Sequence, residues 1–574
     1  MSRAVVCLVA VLNLAWPRPA CPEPGRGAQP PSQPARDTPT AATGGSAVIR
    51  GRILEATTGR PLSRVTVRAN GNGPQPPGGA NAAVTGADGR YEIKGLAAGT
   101  YMIAATKPNY VRTAWGEQRA EGPGKRIPLT DGQVLEKIDL RLVKAGVITG
   151  RVVDEFGDPV TNAQVVPMRY QFIQGSRRLM QAGRGAQTND IGEYRMFGLS
   201  PGQYYVSAVL RNFSMGGPQE STDRSGYAAT YYPGTGNVAE AQRLTIAPAQ
   251  TITSINLTLL PIQTARVTGV VLDTMGRPMG GVQLNAMQRM GPGGFMASGG
   301  RTLDNGTFTI NGLTPGEYTI SANAPGSPEQ ASQLVTIDGS DISGLQLMLT
   351  KPSTIRGRIA FTASATAAEP PKPTAFDLGA VRDWAIAQQV RSQARIKDDG
   401  TFEITLQPGR VLIRGAMSAP PQATGPGAPA PWRLSRVIVN DLDVGDSGID
   451  VPPNGVIENV VVEMTNRSNE ASGSVTDADG KVVRDCYVIV FAQDPTRWTV
   501  QTRYMSIARP GLDDRYHVRL LAGDYYAVAM SDVEVNAWTD PEFLSLARER
   551  ATKFSIADGE AKTIDLALSP APVF

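Results

Sequence analysis

The sequence predicts an all-β protein, a tandem array of about five antiparallel β-sandwich units behind an export signal and a disordered linker. Three observations predict it. The same three turn-and-strand marks recur five times at near-constant spacing. Between the marks, apolar and polar residues alternate with the period of a half-buried strand. Gly (62) and Pro (44) make up about 18% of the 574 residues, against roughly 12% in ordinary globular proteins. A chain of this length holds several domains, and 41% hydrophobic residues suffice to give each a core.

At the N-terminus Arg3 precedes a largely apolar run, Ala4 to Trp16, broken only by Asn13. That run is too short to span a bilayer comfortably but suits the core of a signal peptide, read here as residues 1–21. The mature chain is therefore expected outside the cytoplasm: periplasmic, outer-membrane-associated or secreted. Cys21 offers a site for a lipid anchor, although Arg18 stands where a lipoprotein signal usually carries leucine. Residues 22–46 are rich in Pro, Gly, Ala, Ser and Thr and cannot bury a core, so they read as an extended linker. Residues 420–431 share that composition. No other segment approaches the 18 uninterrupted apolar residues of a spanning helix.

The repeats divide the rest into units 47–143, 144–261, 262–350, 351–466 and 467–574. Each opens on a strand with an internal glycine: Gly51, Gly150, Gly269, Gly357 and Gly473. A turn and strand follow, as Asp88-Gly89-Arg90-Tyr91, Ile191-Gly192-Glu193-Tyr194, Asn305-Gly306-Thr307-Phe308 and Asp399-Gly400-Thr401-Phe402. The fifth copy, Asp514-Arg515-Tyr516, has lost the glycine. The third mark is Gly99, Gly202, Gly316, Gly409 or Gly523, two residues before a tyrosine in every unit but the fourth, which has Val411. From first to third glycine the spacing stays between 47 and 52 residues, which argues for one template used five times.

Asp-Gly and Asn-Gly serve tight hairpins that need positive φ, and Pro-Gly suits a turn in which proline fixes φ and glycine accepts the unusual conformation. After the turn, Tyr91 and Ile93 face one side, and Arg90, Glu92 and Lys94 the other. Val65, Val67 and Ala69 alternate with Arg64, Thr66 and Arg68 in the same way. About seven short strands per unit, one face buried and one wet, make a sandwich. A glycine inside the opening strand marks a bulge or a close backbone approach. Units of this size can fold alone, so beads on a string are expected.

These marks resemble the carboxypeptidase regulatory-like domain, a transthyretin-like (prealbumin-type), immunoglobulin-like sandwich found in tandem in exported bacterial proteins. The resemblance runs from Ala47 to the C-terminus and is clearest in the first three units. The fourth departs by an Ala/Pro-rich insertion between Phe361 and Phe376. The resemblance implies an accessory or binding role, since in metallocarboxypeptidases this domain does not catalyse. It is similar in fold to starch-binding-like and collagen-adhesin B-type modules. The latter can carry a Lys–Asn isopeptide, but Arg52, Arg151 and Arg358 stand here beside the strand glycines, and arginine cannot make that bond.

Composition narrows the chemistry. Histidine occurs once, at His517, whereas most zinc sites and Ser-His-Asp or Cys-His mechanisms need imidazole. His517 alternates outward with Arg515 and Arg519, with no evident partner in sequence. A net charge of +4 gives no basic field for nucleic acid. Cys7, Cys21 and Cys486 form neither a disulfide framework nor a zinc pattern, and Cys486 sits in an apolar strand-like run. Asp441, Asp443 and Asp446 are a candidate Ca²⁺ site by oxygen density, although they lack the EF-hand order, and Asp477-Ala478-Asp479-Gly480 reads as a turn. Asp513-Asp514 and Asp398-Asp399, the adjacent carboxylate pairs at repeat positions, also read as turns. For sugar stacking the candidates are Trp432, Trp538, Tyr231 and Tyr232, with Trp115, Trp384, Trp498 and Tyr227 in reserve. No nucleotide or hydrolase motif stands in a usable context. The sequence therefore predicts a protein without cofactor or catalytic residues: an exported scaffold that binds an extracellular ligand, polysaccharide or envelope protein. The alternative is a structural protein–protein interaction module of the cell envelope.

Overall fold

The computed structural model describes residues 45–71, 81–117, 122, 124–173, 175–210, 225–288, 295–363, 370–382, 391–417, 432–467, 469–511, 513–531 and 533–571. The expected signal peptide, nearly all of the linker, Cys7, Cys21, Trp384 and residues 420–431 lie outside the described residues.

The first unit shows how sequence becomes sandwich. Its opening strand, Ala47–Glu55, pairs antiparallel with Arg90–Leu96 and in parallel with the closing strands Val134–Leu135 and Leu140–Leu142. The facing sheet runs Ala82–Val84, Thr66–Gly71, Gly99–Thr106 and Thr113–Ala114, with Ile127–Leu129 on the same central strand. The alternation read from sequence holds: Tyr91 and Ile93 enter the core between the sheets while Arg90 and Lys94 stay exposed. Val65, Val67 and Ala69 enter the same core from the other side.

The same frame recurs around Gly146–Val153, Ala265–Leu272, Ser353–Thr362 and Asn469–Gly473, each with an antiparallel neighbour from the turn and a parallel closing strand. Each unit has its own apolar core. In the fourth unit Arg433–Val439 bridges to Val456–Thr465, so its two halves form one continuous sheet. There Phe361 and Phe376, at the two ends of the insertion, come within 5.6 Å of each other.

The first mark has a steric cause. Gly51, Gly150, Gly269, Gly357 and Gly473 lie directly opposite Tyr91, Tyr194, Phe308, Phe402 and Tyr516 in register. A Cβ on any of them would fall well inside 3.0 Å of a backbone carbonyl of the closing strand: Ile138, Ile255, Leu345, Val460 or Ile564. The tyrosine hydroxyls of the first, second and fifth units donate to that same carbonyl at 2.6 Å. The residue just before it has positive φ in four units, at Lys137, Ser254, Gly344 and Asn459. That kink turns the carbonyl toward the glycine, and the aromatic ring covers the gap left by the missing side chain.

The third mark is a tyrosine anchor. The hydroxyls of Tyr101, Tyr204 and Tyr525 donate to the carbonyls of Ala97, Ser200 and Leu521, four residues upstream, and Tyr318 bonds the hydroxyl of Thr314. Such an anchor fixes the entry of the central strand, like the tyrosine corner of other sandwiches. The turn of the fifth unit survives its lost glycine because Asp514 takes up φ 64° in its place. A short polar side chain tolerates that conformation, and Arg484 pairs with its carboxylate.

The fifth unit is also covered on its second face. Every residue of Tyr487–Ala492 is buried. Cys486, Val488 and Val490 serve the sandwich core, while Tyr487, Ile489 and Phe491 join a second cluster with Val528, Met530 and the helix α1, Pro541–Ala547. An unbroken apolar run is the pattern of a strand buried on both faces.

Candidate functional site

The aromatic candidates lie mostly within packing. Trp538 sits in the second cluster of the fifth unit, tilted against Tyr487 at 5.8 Å, its side chain almost wholly covered. Trp498 belongs to the same cluster, and its indole N–H donates to the Ala492 carbonyl at 2.8 Å. Tyr231 is buried, and Tyr232 is half-buried against the second core. Trp432 meets Phe361 edge-on at 5.2 Å, and Trp115 rests on the first core. Tyr227 is half-buried, donates to Glu155 at 2.9 Å and is pushed up to about 12, mainly by desolvation.

The acidic run encloses an arginine. Arg503 of the fifth unit donates through Nη2 to Asp446 Oδ2 at 2.9 Å and to Asp443 Oδ2 at 3.1 Å, and through its backbone N–H to Asp446 Oδ1 at 3.1 Å. Its Nη1 also reaches the Ser435 carbonyl. Asp441 stands apart, exposed and at φ 64°. Among the described residues, no group of three or more His, Cys, Asp or Glu side chains is arranged to hold a metal ion. Asp443 is therefore set against a fixed cation. Desolvation raises its pKa, but the Gly445 N–H and Arg503 outweigh that and hold it below the usual carboxylate value.

His517 has partners that sequence could not reveal. Its Nδ1 lies 2.9 Å from Glu470 on the neighbouring strand, and its Nε2 3.0 Å from Asp513, four residues upstream across the turn. Partial desolvation works against the charged ring, but hydrogen bonds to both carboxylates outweigh it and raise the pKa above 6.5. A raised folded-state value means this stabilisation is fully present below the unfolded value of about 6.5 and is lost as pH climbs through the folded value. With one histidine in the chain, its ring proton is a single NMR reporter. The expected midpoint lies above 6.5 and falls in Glu470→Gln; a wild-type midpoint at or below 6.5 contradicts the bridge. Cys486 is a buried free thiol whose pKa burial pushes up to about 11, which keeps it protonated and unreactive.

The contacts that sequence reading missed run between units. Arg414 and Arg433 of the fourth unit donate to the carbonyls of Gln501 and Leu520 in the fifth. From the first unit, Lys125 reaches the Arg484 carbonyl at 2.8 Å and Asp485 at 3.1 Å. In return, Arg509 donates to the Gly116 carbonyl and lies over the Tyr487 ring, 5.1 Å from its centroid. Phe172 of the second unit is 2% exposed and belongs to the fifth unit's second cluster. The units are thus not independent beads, and Thr43–Phe574 forms one compact unit. The continuous apolar run from Tyr487 was the available signal: a strand with no wet face needs a second partner.

Residues 48–142 and 266–350, essentially the first and third units, match the model of the carboxypeptidase regulatory-like domain. Among curated proteins, none matches the sequence. Solved structures with similarity include the Bacillus anthracis TIE protein, 11% identical over 70% of this chain and 69% of that one, with a TM-score of 0.15. A streptococcal ancillary pilin is 12% identical over 53% of this chain and 99% of its own, with a TM-score of 0.20. A minor pilin of Streptococcus agalactiae is 12% identical over 40% of this chain and 100% of its own, also with a TM-score of 0.20.

Proposed function

Because the chain carries carboxypeptidase regulatory-like domains within a tandem array of β-sandwiches, we propose a non-catalytic, exported scaffold that presents its loops to an extracellular ligand. One observation carries this reading: what recurs between units is structural. The strand glycine, the aromatic residue across from it and the closing-strand carbonyl repeat five times. The side chains with reactive potential, His517 and the Asp443–Asp446 pair, occur once and are held in ion pairs. Repetition of a binding frame raises avidity for a polymer when several units reach it at once.

Two ligand classes fit a scaffold. A polysaccharide would stack on exposed aromatic faces, whereas an envelope protein would add a strand to a free sheet edge. The burial of Trp498, Trp538 and Tyr231 favours the protein partner. Gln330–Ile337 lies at the end of its four-stranded sheet and, beyond Gln330, which bridges to Thr350, provides such an edge. Affinity electrophoresis against a polysaccharide panel, alongside crosslinking in intact cells, separates the two. Retardation supports the first class, and crosslinks to envelope proteins without retardation support the second. Turnover of a broad glycoside or peptide panel by the purified chain would overturn the scaffold itself.

A further inference from the structure

Phe172 is buried against a unit that begins some three hundred residues later, and its own strand explains why. In Gln164–Ile173, Val165 points into the second unit's core. Phe172 lies at the opposite parity, so it projects from the outer face, where solvent is expected. It is nevertheless 2% exposed. What covers it is the second cluster of the fifth unit, including Tyr487, Phe491, Trp538, Phe543 and Leu544. The tip of the same hairpin is equally close. A Cβ on Gly175 would lie 3.0 Å from the Thr539 carbonyl and 3.4 Å from Val500.

We infer that the hairpin of Gln164–Ile173 and Ser176–Gln181 is a latch, and that the fifth unit's outer face with α1 is its socket. The latch closes the array within one chain. Phe172 supplies the apolar contact that α1 alone leaves open on the sheet. Lys125 on Asp485 and the Arg484 carbonyl, with Arg509 on the Gly116 carbonyl, fix the approach of the first unit beside it. Arg503, between Asp443 and Asp446, holds the fourth unit. The last unit is thus the keystone on which the first, second and fourth converge. Loop closure over a long chain adds little entropy cost per added residue, so one aromatic plug and a few polar contacts can hold these units together. The latch closes the array whichever ligand the scaffold binds.

Hydrogen exchange on the intact mature chain tests it, read by peptide. Phe172→Glu places a charge in the socket. Gly175→Asn keeps a residue that tolerates φ 69° while adding bulk against Thr539. Both variants are expected to speed exchange in α1 and Tyr487–Ala492 at least tenfold, with Gly146–Val153 of the second unit unchanged. Fast exchange in Gly146–Val153 of Phe172→Glu would report misfolding of the second unit, and the Gly175→Asn chain then decides the matter. If α1 stays as protected as in wild type while the second unit remains folded, the latch is wrong.

Discussion

Gly150→Ala is expected to destabilise the second unit by about 3 kcal/mol or more, the upper end of the usual cost of overpacking. The added methyl would meet the Ile255 carbonyl, a backbone atom, and not the free end of a flexible side chain. That carbonyl is already held by the Tyr194 hydroxyl at 2.6 Å, and the residue before it, Ser254, is at φ 61°. The strand therefore has little room to retreat. Tyr194→Phe is the matched control, because it removes the hydroxyl and leaves the ring over the glycine. Its expected cost is about 1 kcal/mol, the net worth of one hydrogen bond, and the third and fourth units already carry Phe308 and Phe402 at this position. Exchange or limited proteolysis mapped to residues 146–263 should show opening in Gly150→Ala and near wild-type protection in Tyr194→Phe. Equal, small effects would mean that the close approach does not constrain the fold.

The five strand glycines, their aromatic partners and the turn residues act through local backbone geometry and one-register packing, so their spacing survives in the chain and can be read from it. The fifth turn looked broken without its glycine, yet Asp514 occupies the same φ region because a carboxylate side chain tolerates it. What could not be read are pairings made across the fold. Asp443 and Asp446 supply oxygen density that suggests a cation. The cation they face is Arg503, about sixty residues later and on another unit. Glu470 reaches His517 only because Asn469–Gly473 and Tyr516–Leu520 lie side by side. Phe172 lies on the outer face of its strand, and its cover comes from the sheet and helix of a distant unit, which no local pattern marks. Independence of the units was a fair expectation from their size. It fails because the fifth sheet carries apolar residues on both faces and must bury the second one somewhere.

Pairing across units also makes Arg503 a sensitive polar residue between them. Its guanidinium is 10% exposed, and the two carboxylates it bridges are 23% and 14% exposed, so water does little to screen them. Removing the cation with Arg503→Met leaves two partly buried carboxylates facing each other across the space it filled. Breaking a buried pair in this way costs roughly 3–5 kcal/mol, with the lower end expected here because some solvent reaches Asp443. Adding Asp443→Asn and Asp446→Asn to the Arg503→Met chain should recover part of the loss, since the two charges are then gone; among the described residues, only the exposed Arg436, 4.0 Å from Asp443, still faces that pair without Arg503. The acid limb provides an independent readout. Asp443 titrates below its ordinary value of 3.8 in the folded chain. Its contribution is present above that value and is lost as pH falls through the lower folded value. In Arg503→Met the Arg503 share of the depression disappears, so the onset of acid destabilisation should move to higher pH. Thermal melts of wild type and variant from pH 3 to pH 7 measure both effects. Curves that differ by a constant at every pH would show that Arg503 acts through packing alone, with no charge linkage to the fourth unit.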